Sequence, residues 1–228
     1  KSLSDISLEL TDGDVVVIAQ KIVSKSEGRY AYLNQITASE EAITLAEEVD
    51  KDPKIVQLIL NESVEVIKQR IGAVIVEHKL GYVHANAGID QSNIFSNEDD
   101  PRVLLLPENP DASATKIRNE MFYRTGADIS VIINDSAGRA WRNGTVGFAI
   151  GTAGFSPVVD MTGKPDLFKR TLEVTEVAVA DELAAAASFL MGQADEASPV
   201  VVIKGTKLAS LDIGSEGLIR EKSQDLFR

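Results

Sequence analysis

Ile129-Ser-Val-Ile-Ile-Asn-Asp-Ser136 is the clearest strand in the chain, an apolar run that ends abruptly in Asn134-Asp135. Working outward, a polar, glycine-bearing loop is expected over 136–144, then a mixed glycine-rich stretch to about Gly163. Upstream, Asp111 or Ser113 could cap a helix that ends before Gly126, and Leu104–Leu106 reads as a short strand bounded by Pro107. Asn86–Asn97 reads as a loop, preceded by a hairpin of 73–77 and 81–85 that turns near Lys79. Asp52-Pro53 predicts a helix start, with Val56, Leu60, Val64 and Ile67 as its buried stripe. Thr37-Ala-Ser-Glu40 has the spacing of a capping box for a helix running to about Val49. Asp12-Gly13-Asp14 reads as a turn, Val15–Ala19 as a buried strand, and Gln20–Tyr30 as a polar segment. Downstream, Val179, Leu183, Ala187 and Leu190 recur at helical spacing up to Gly192, and 199–204 reads as a last strand. In the polar tail, Leu218, Ile219, Leu226 and Phe227 are candidate docking residues.

Strands and helices are interspersed without a strict repeat, which favours an α+β fold of mixed, mostly antiparallel sheets with flanking helices. With 228 residues, 44% of them hydrophobic, the chain can bury a substantial core. One domain over 1–228 is the simpler reading, with two intimate lobes as the alternative. The formal charge is −12, from 35 acidic and 23 basic side chains. That balance argues against general binding to a nucleic-acid backbone, which needs a basic surface. An acidic protein can still handle phosphates where divalent metals bridge them to carboxylates. No cysteine is present, so disulfides and thiolate metal sites are excluded, in keeping with a reducing cytoplasm. No stretch approaches a membrane span.

The phosphate-loop, dinucleotide, zinc-protease and nucleophile-elbow motifs are absent. His78 and His84 are the only histidines, so a histidine-rich metal site is excluded, and His84 reads as a packed or edge residue. Four segments place hard-oxygen or cationic groups beside glycine. In Asn86–Asn93, Asp90 suits Mg²⁺ or Mn²⁺ and Asn93 could donate to a phosphate or base; the plainer reading is an Asx turn. In Asn134–Gly144, Asp135 sits at a strand end and Ser136 offers a hydroxyl. Arg139 and Arg142 could fork onto anions there, with Trp141 filling core beside them; the plainer reading is a solvated hairpin. In Gln20–Arg29, Lys21 and Lys25 could act as point charges on phosphates, although a solvated loop explains them too. Finally, Glu173–Glu176 and Asp181-Glu182 lead to Met191-Gly192-Gln193, where acids also favour a helix start.

Taken together, the segments resemble the F420-0:gamma-glutamyl ligase family, including the ligase portion of its actinobacterial two-domain enzyme. Five blocks keep the family order: 13–29, 86–93, 134–144, 146–154 and 172–192. The resemblance runs from about Asp12 to Phe227. It implies GTP, two divalent cations (Mg or Mn), a monovalent cation such as K, and an acyl-phosphate route from F420-0 and L-glutamate to an amide. It also implies a cytoplasmic, intertwined homodimer. By match to the family motifs, Asp90 and Asp135 would ligate one metal and carry the catalytic role, with Ser136 and Gln193 at the second. Gln20, Lys21, Lys25, Asn93, Met191 and Gly192 would contact the nucleotide. Two departures stand out: an N-terminal nucleotide-contacting segment of the family is not in this sequence, and Gln193 stands where the family has a glutamate ligand. The alternatives are a relative joining an amino acid to a different phosphorylated acid, and a non-catalytic binder of metal and nucleotide.

Overall fold

The computed structural model describes residues 9–97, 99–209 and 213–225. Along the chain run β1 (Val15–Ala19), α1 (Gln20–Ser26), β2 (Tyr30–Tyr32), α2 (Glu40–Val49), α3 (Pro53–Asn61), β3 (Ser63–Arg70), β4 (Ala73–His78) and β5 (Val83–Ala85). There follow β6 (Arg102–Leu104), α4 (Pro110–Thr125), β7 (Ser130–Arg139), β8 (Arg142–Ala153), β9 (Val159–Asp160), β10 (Glu176–Val177), α5 (Val179–Met191) and β11 (Val200–Ile203). The class is α+β, as expected. One four-stranded sheet, ordered β11-β1-β7-β8, is mixed, and the smaller sheets are antiparallel.

The chain divides into two compact units, neither continuous in sequence. The first comprises 1–19, 109–136 and 147–218. At its centre β1 pairs in parallel with β7 and antiparallel with β11. A strand flanked on both edges and covered on its faces reads as an unbroken apolar run, which is why Val15–Ala19 lacks alternation. Helix α5 lays Ala180, Ala184, Ala187 and Met191 against Val15, Val17, Ile132, Ala149 and Phe155. Its buried face is therefore set by small residues, and Leu190 of the expected stripe is exposed. The alanines admit a close approach. At Gly147 of β8 a Cβ would come 2.6 Å from the Ala184 carbonyl.

As the edge strand, β8 has donors that no neighbouring strand satisfies. Carboxylates in the first turns of two helices satisfy two of them: Asp181 accepts from Ala149 N at 2.9 Å and Asp111 from Thr152 N at 2.7 Å. Asp111 is thus not the cap of α4. Asn109 is, accepting from Ala112 N, with Pro110 at the first helical position.

The second unit comprises 20–108, 137–146 and 219–228. Its core packs α2 and α3 on the β3–β4–β5 sheet through Ala42, Ala46, Val49, Val56, Ile59, Val74 and Val76. Ser39, rather than Thr37, caps α2, because its hydroxyl accepts from Ala42 N at 3.2 Å. Asp52 caps α3 as expected. That helix stops at Asn61, however, so Val64 and Ile67 belong to β3 rather than to a helical stripe. Leu104–Leu106 is displaced as well, since the strand is Arg102–Leu104. The 136–144 segment is not a loop: β7 and β8 continue through it to a two-residue turn, Ala140-Trp141. Trp141 is 89% exposed and fills no core. In the tail, Leu218 joins the first unit's cluster and Ile219 lies over Gly81 in the second. Leu226 and Phe227 lie outside the described residues.

Candidate active site

The segment after β1 was expected as a polar loop and is helix α1. It buries Gln20, Val23 and Ser24, spaced as one helical face, and that short stripe is masked in the sequence by surrounding charge. The helix places three of the expected residues over the Asp90 loop, some seventy positions away in sequence. The Lys21 ammonium sits 2.9 Å from Asp90 Oδ1, and the Gln20 amide donates to Oδ2 of the same carboxylate. Ser24 Oγ donates to Gln20 Oε1 at 3.0 Å, which turns the Gln20 nitrogen toward Asp90. One turn on, Lys25 Nζ donates to the Asn93 carbonyl at 2.6 Å. Gln20, Lys21, Lys25, Asp90 and Asn93 therefore form one constellation in the second unit.

The backbone that carries Asp90 is constrained. Asn86, Ala87 and Gly88 take consecutive left-handed conformations, with φ of 53°, 52° and 65°. For an alanine this costs roughly 1 kcal/mol. The turn is secured where Asn86 Oδ1 accepts from Val74 N, and where Leu106 closes on Gly88 so tightly that a Cβ would lie 2.9 Å from its Cδ1. Asp90 and Leu104 then exchange both backbone hydrogen bonds, at 2.9 and 3.0 Å. Asn93 is itself left-handed, at φ 58°.

In the first unit, β7 delivers Asn134, Asp135 and Ser136. Asn134 and Asp135 are buried, while Ser136 is half-buried. The Asn134 amide nitrogen, oriented toward the Ala184 and Asp135 carbonyls at 3.3 and 3.2 Å, ties this strand end to α5. Helix α5 ends at Gly192, whose φ of 76° and ψ of −178° suit glycine alone. Gln193 follows, its amide nitrogen donating to Ser188 Oγ at 3.1 Å. Asp181, at the start of α5, is pushed above the ordinary carboxylate range by burial, against the pull of its Ala149 hydrogen bond. Arg139 and Arg142 are exposed beside the Ala140-Trp141 turn of the second unit.

Two groupings were missed in the sequence. Arg29 donates to the Leu106 carbonyl at 2.8 Å and pairs with Glu62 at 3.1 Å, while His78 Nε2 lies 3.9 Å from the same Glu62 oxygen. Arg102 stands over the rings of Tyr30, Phe95 and Tyr32, at 4.8, 5.8 and 5.9 Å from their centroids. The alternation Tyr30-Ala-Tyr32 was the one available hint, since it sets both rings on one face of β2.

A family model described as F420-0:Gamma-glutamyl ligase matches residues 1–205. The chain belongs to the F420-0:gamma-glutamyl ligase family. It is 47% identical to the coenzyme F420:L-glutamate ligase of Methanothermobacter thermautotrophicus, over 100% of this chain and 89% of that protein. It is also 47% identical to the protein of the same name from Methanocaldococcus jannaschii, over 96% and 86%. The counterpart from Archaeoglobus fulgidus is 41% identical, over 95% and 85%.

The candidate ligands of this ligase-family chain fit a hard divalent cation in chemistry, since all are oxygens: the carboxylates of Asp90 and Asp135, the Ser136 hydroxyl and the Gln193 amide. Hydrogen bonding to Ser188 through nitrogen leaves the oxygen as the end of Gln193 that could face a cation. Among the described residues no group of three or more His, Cys, Asp or Glu gathers as a metal cluster. Neutral oxygens and water would complete any shell, as Mg²⁺ commonly accepts. A cation on Asp90 competes directly with the Lys21 ammonium. Among the described residues, no helix is long and apolar enough to cross a membrane.

Proposed function

We propose that this chain joins L-glutamate to F420-0 at the expense of GTP, through an acyl phosphate. Supporting this reading is the convergence of Gln20, Lys21 and Lys25 of α1 on Asp90 and Asn93, in a member of this family. The single observation that carries it is the Lys21–Asp90 contact, which joins an ammonium to a hard-oxygen carboxylate on a constrained turn.

The terminal carboxylate of F420-0 is a poor acyl donor. Its oxygen attacks the γ-phosphorus of GTP, and the bond to the β-phosphate oxygen breaks with release of GDP. The glutamate amine then attacks the acyl carbon, loses a proton and expels inorganic phosphate. Lys21 and Lys25 supply point charges that hold triphosphate oxygens and offset their repulsion toward the incoming carboxylate. Asp90 of the second unit, and Asp135, Ser136 and Gln193 of the first, would each offer an oxygen to one of two divalent cations (Mg²⁺ or Mn²⁺), which would stabilise charge developing on the transferred phosphoryl group. Asn93 orients the nucleotide, and Arg139 and Arg142 hold substrate anions by forked hydrogen bonds. The protein works as a homodimer in this reading. Phe168, Phe189 and Leu190 of the first unit are exposed and supply apolar surface for a second copy to cover.

Incubation with GTP, Mn²⁺, F420-0 and L-glutamate, followed by mass spectrometry, tests the proposal. The expected product is F420-0 heavier by one glutamyl residue, with equimolar GDP and phosphate. Turnover of GTP only with another phosphorylated acid would move the assignment to a different acceptor. Binding without turnover would leave a non-catalytic binder. Asp135→Asn should reduce the ligase rate at least 100-fold with an unchanged circular dichroism spectrum, on the scale expected when transition-state charge stabilisation is removed. Full activity in that variant would remove Asp135 from the mechanism.

A further inference from the structure

The described residues of the loop between Asp90 and Arg102 are held by several hydrogen bonds, yet they expose a large aromatic side chain. Arg102 N donates to Ser96 Oγ at 3.0 Å and Asp100 N to Asn97 Oδ1 at 2.7 Å. Asn34 Nδ2 donates to the Asp99 carbonyl and Leu33 N to the Pro101 carbonyl, so the loop is also pinned to the turn after β2. Arg102 Nε donates to the Phe95 carbonyl at 2.7 Å, and the same guanidinium stands over the Phe95 ring. Phe95 nevertheless remains 76% exposed. Holding the loop requires the Phe95 carbonyl. It does not require an aromatic side chain, whose hydration is unfavourable when nothing covers it.

The rings around Arg102 are disposed for stacking. Tyr30 and Tyr32 share one face of β2, and Arg102 is the cross-strand partner of Tyr32 on β6. The guanidinium is thereby oriented by two tyrosines and by the Phe95 backbone before any ligand arrives. Phe95 lies two positions beyond Asn93, whose carbonyl receives Lys25, and five beyond Asp90. One short loop thus carries polar, phosphate-competent groups at its start and a fixed aromatic–guanidinium group near its end. Ligands with an anionic phosphate attached to a flat ring are bound elsewhere by this pairing of charge with an aromatic face.

We propose that Phe95, with Arg102, Tyr30 and Tyr32, is a stacking platform for the planar heteroaromatic ring of a phosphate-bearing ligand, held so that its phosphates reach the Lys25–Asn93 end of the loop. The inference rests on the ligase reading for its choice of ligands. Two sources supply that chemistry, the guanine of GTP and the deazaflavin of F420-0. Removing the ring should weaken binding of whichever ligand stacks there, and should leave a ringless phosphate unaffected.

Titration calorimetry with the full chain in the presence of Mg²⁺ separates these cases, using GTP, F420-0 and inorganic tripolyphosphate as probes on the wild type, Phe95→Ala and Phe95→Trp. Phe95→Ala is expected to weaken one ring-bearing ligand about tenfold, the size typical of one lost base–aromatic stack, with tripolyphosphate unchanged and Phe95→Trp near wild type. Selective loss of GTP places guanine on the platform; selective loss of F420-0 places the deazaflavin there. If Phe95→Ala binds all three probes as the wild type does, the platform is refuted while the ligase reading stands. Equal weakening of all three, tripolyphosphate included, also refutes it, because Phe95 then only supports the loop. A wild type that binds neither GTP nor F420-0 overturns both readings together.

Discussion

His78 shows how a single buried side chain sets a pH limit. Its Nδ1 accepts from Leu80 N at 3.0 Å, so the proton of the neutral ring sits on Nε2, which has no hydrogen-bond partner among the described residues. Burial holds the imidazole down to about 4 from an ordinary 6.5, reinforced by the nearby charges of His84, Lys79 and Arg29. The unfolded chain therefore takes up a proton near 6.5 that the folded chain refuses until about 4. Stability is complete above 6.5 and falls as the pH drops through that window, by on the order of 3 kcal/mol in all. Urea midpoints at pH 7, 5.5 and 4.5 should show this decline, and His78→Gln should flatten it. An unchanged slope in the variant would assign the acid sensitivity to other groups.

At the scale of elements, what the sequence made legible divides by the physics of each signal. Apolar runs were readable: β1, β7 and β11 lie close to where their valines and isoleucines put them. So was Asp52-Pro53, because a cap followed by proline has few other uses. Helix α1 was not, since it is seven residues long and buries only Gln20, Val23 and Ser24. The Asn134–Gly144 hairpin was legible as a hairpin, but its strands were read as loop because they are glycine-rich and solvated where they leave the core. Asp111 was misassigned because a carboxylate in a first helical turn looks alike whether it caps its own helix or reaches elsewhere. It reaches elsewhere, accepting from Thr152 N at 2.7 Å, Ser215 N at 2.9 Å and Ser215 Oγ at 3.1 Å. It thus joins α4, the edge strand β8 and the turn Ser215–Leu218 within the first unit. Asp111→Ala strands two backbone donors and should cost about 2–4 kcal/mol. Thermal unfolding measures the loss, and hydrogen exchange should show it concentrated at Thr152 and Ser215. A variant as stable as the wild type would mean that water replaces the carboxylate.

At the scale of the whole molecule, the α+β class could be read from the absence of a regular strand–helix alternation, but the division of the chain could not. Both units are assembled from separated segments, and no composition shift marks a junction between strands that stay continuous, such as β7. The candidate site was legible in part for the same reason. Motif blocks identify Gln20, Lys21 and Asp90 one by one, whereas the contact that joins them depends on α1 being a helix. The Arg102 cluster went unseen because its members are spread over more than seventy residues without a motif. Discontinuity has a testable consequence at the C-terminal end. β1 is bracketed by β11, with Val15 opposite Ile203 and Ile18 opposite Val200. Just beyond, Lys204 pairs with the buried Asp14 at 3.1 Å, and together with hydrogen bonds from Thr11 it outweighs burial and keeps that carboxylate below its ordinary range. A chain ended at Ser198 loses both, leaving β1 as an apolar open edge and Asp14 without its ammonium. It should aggregate and show no cooperative melt. A chain ended at Leu218 keeps the four-stranded sheet and removes only features of the second unit: the Ile219 cover on Gly81, and Lys222 between Glu65 at 3.0 Å and Glu77 at 2.6 Å. The contact with Glu65 is exposed and contributes little, while the buried Glu77 loses its ammonium, so this chain should stay soluble and melt cooperatively but at a lower temperature than the full protein. Comparing the two by solubility and calorimetry decides the matter, and a 1–198 chain that melts like the full protein would show that β1 does not depend on β11.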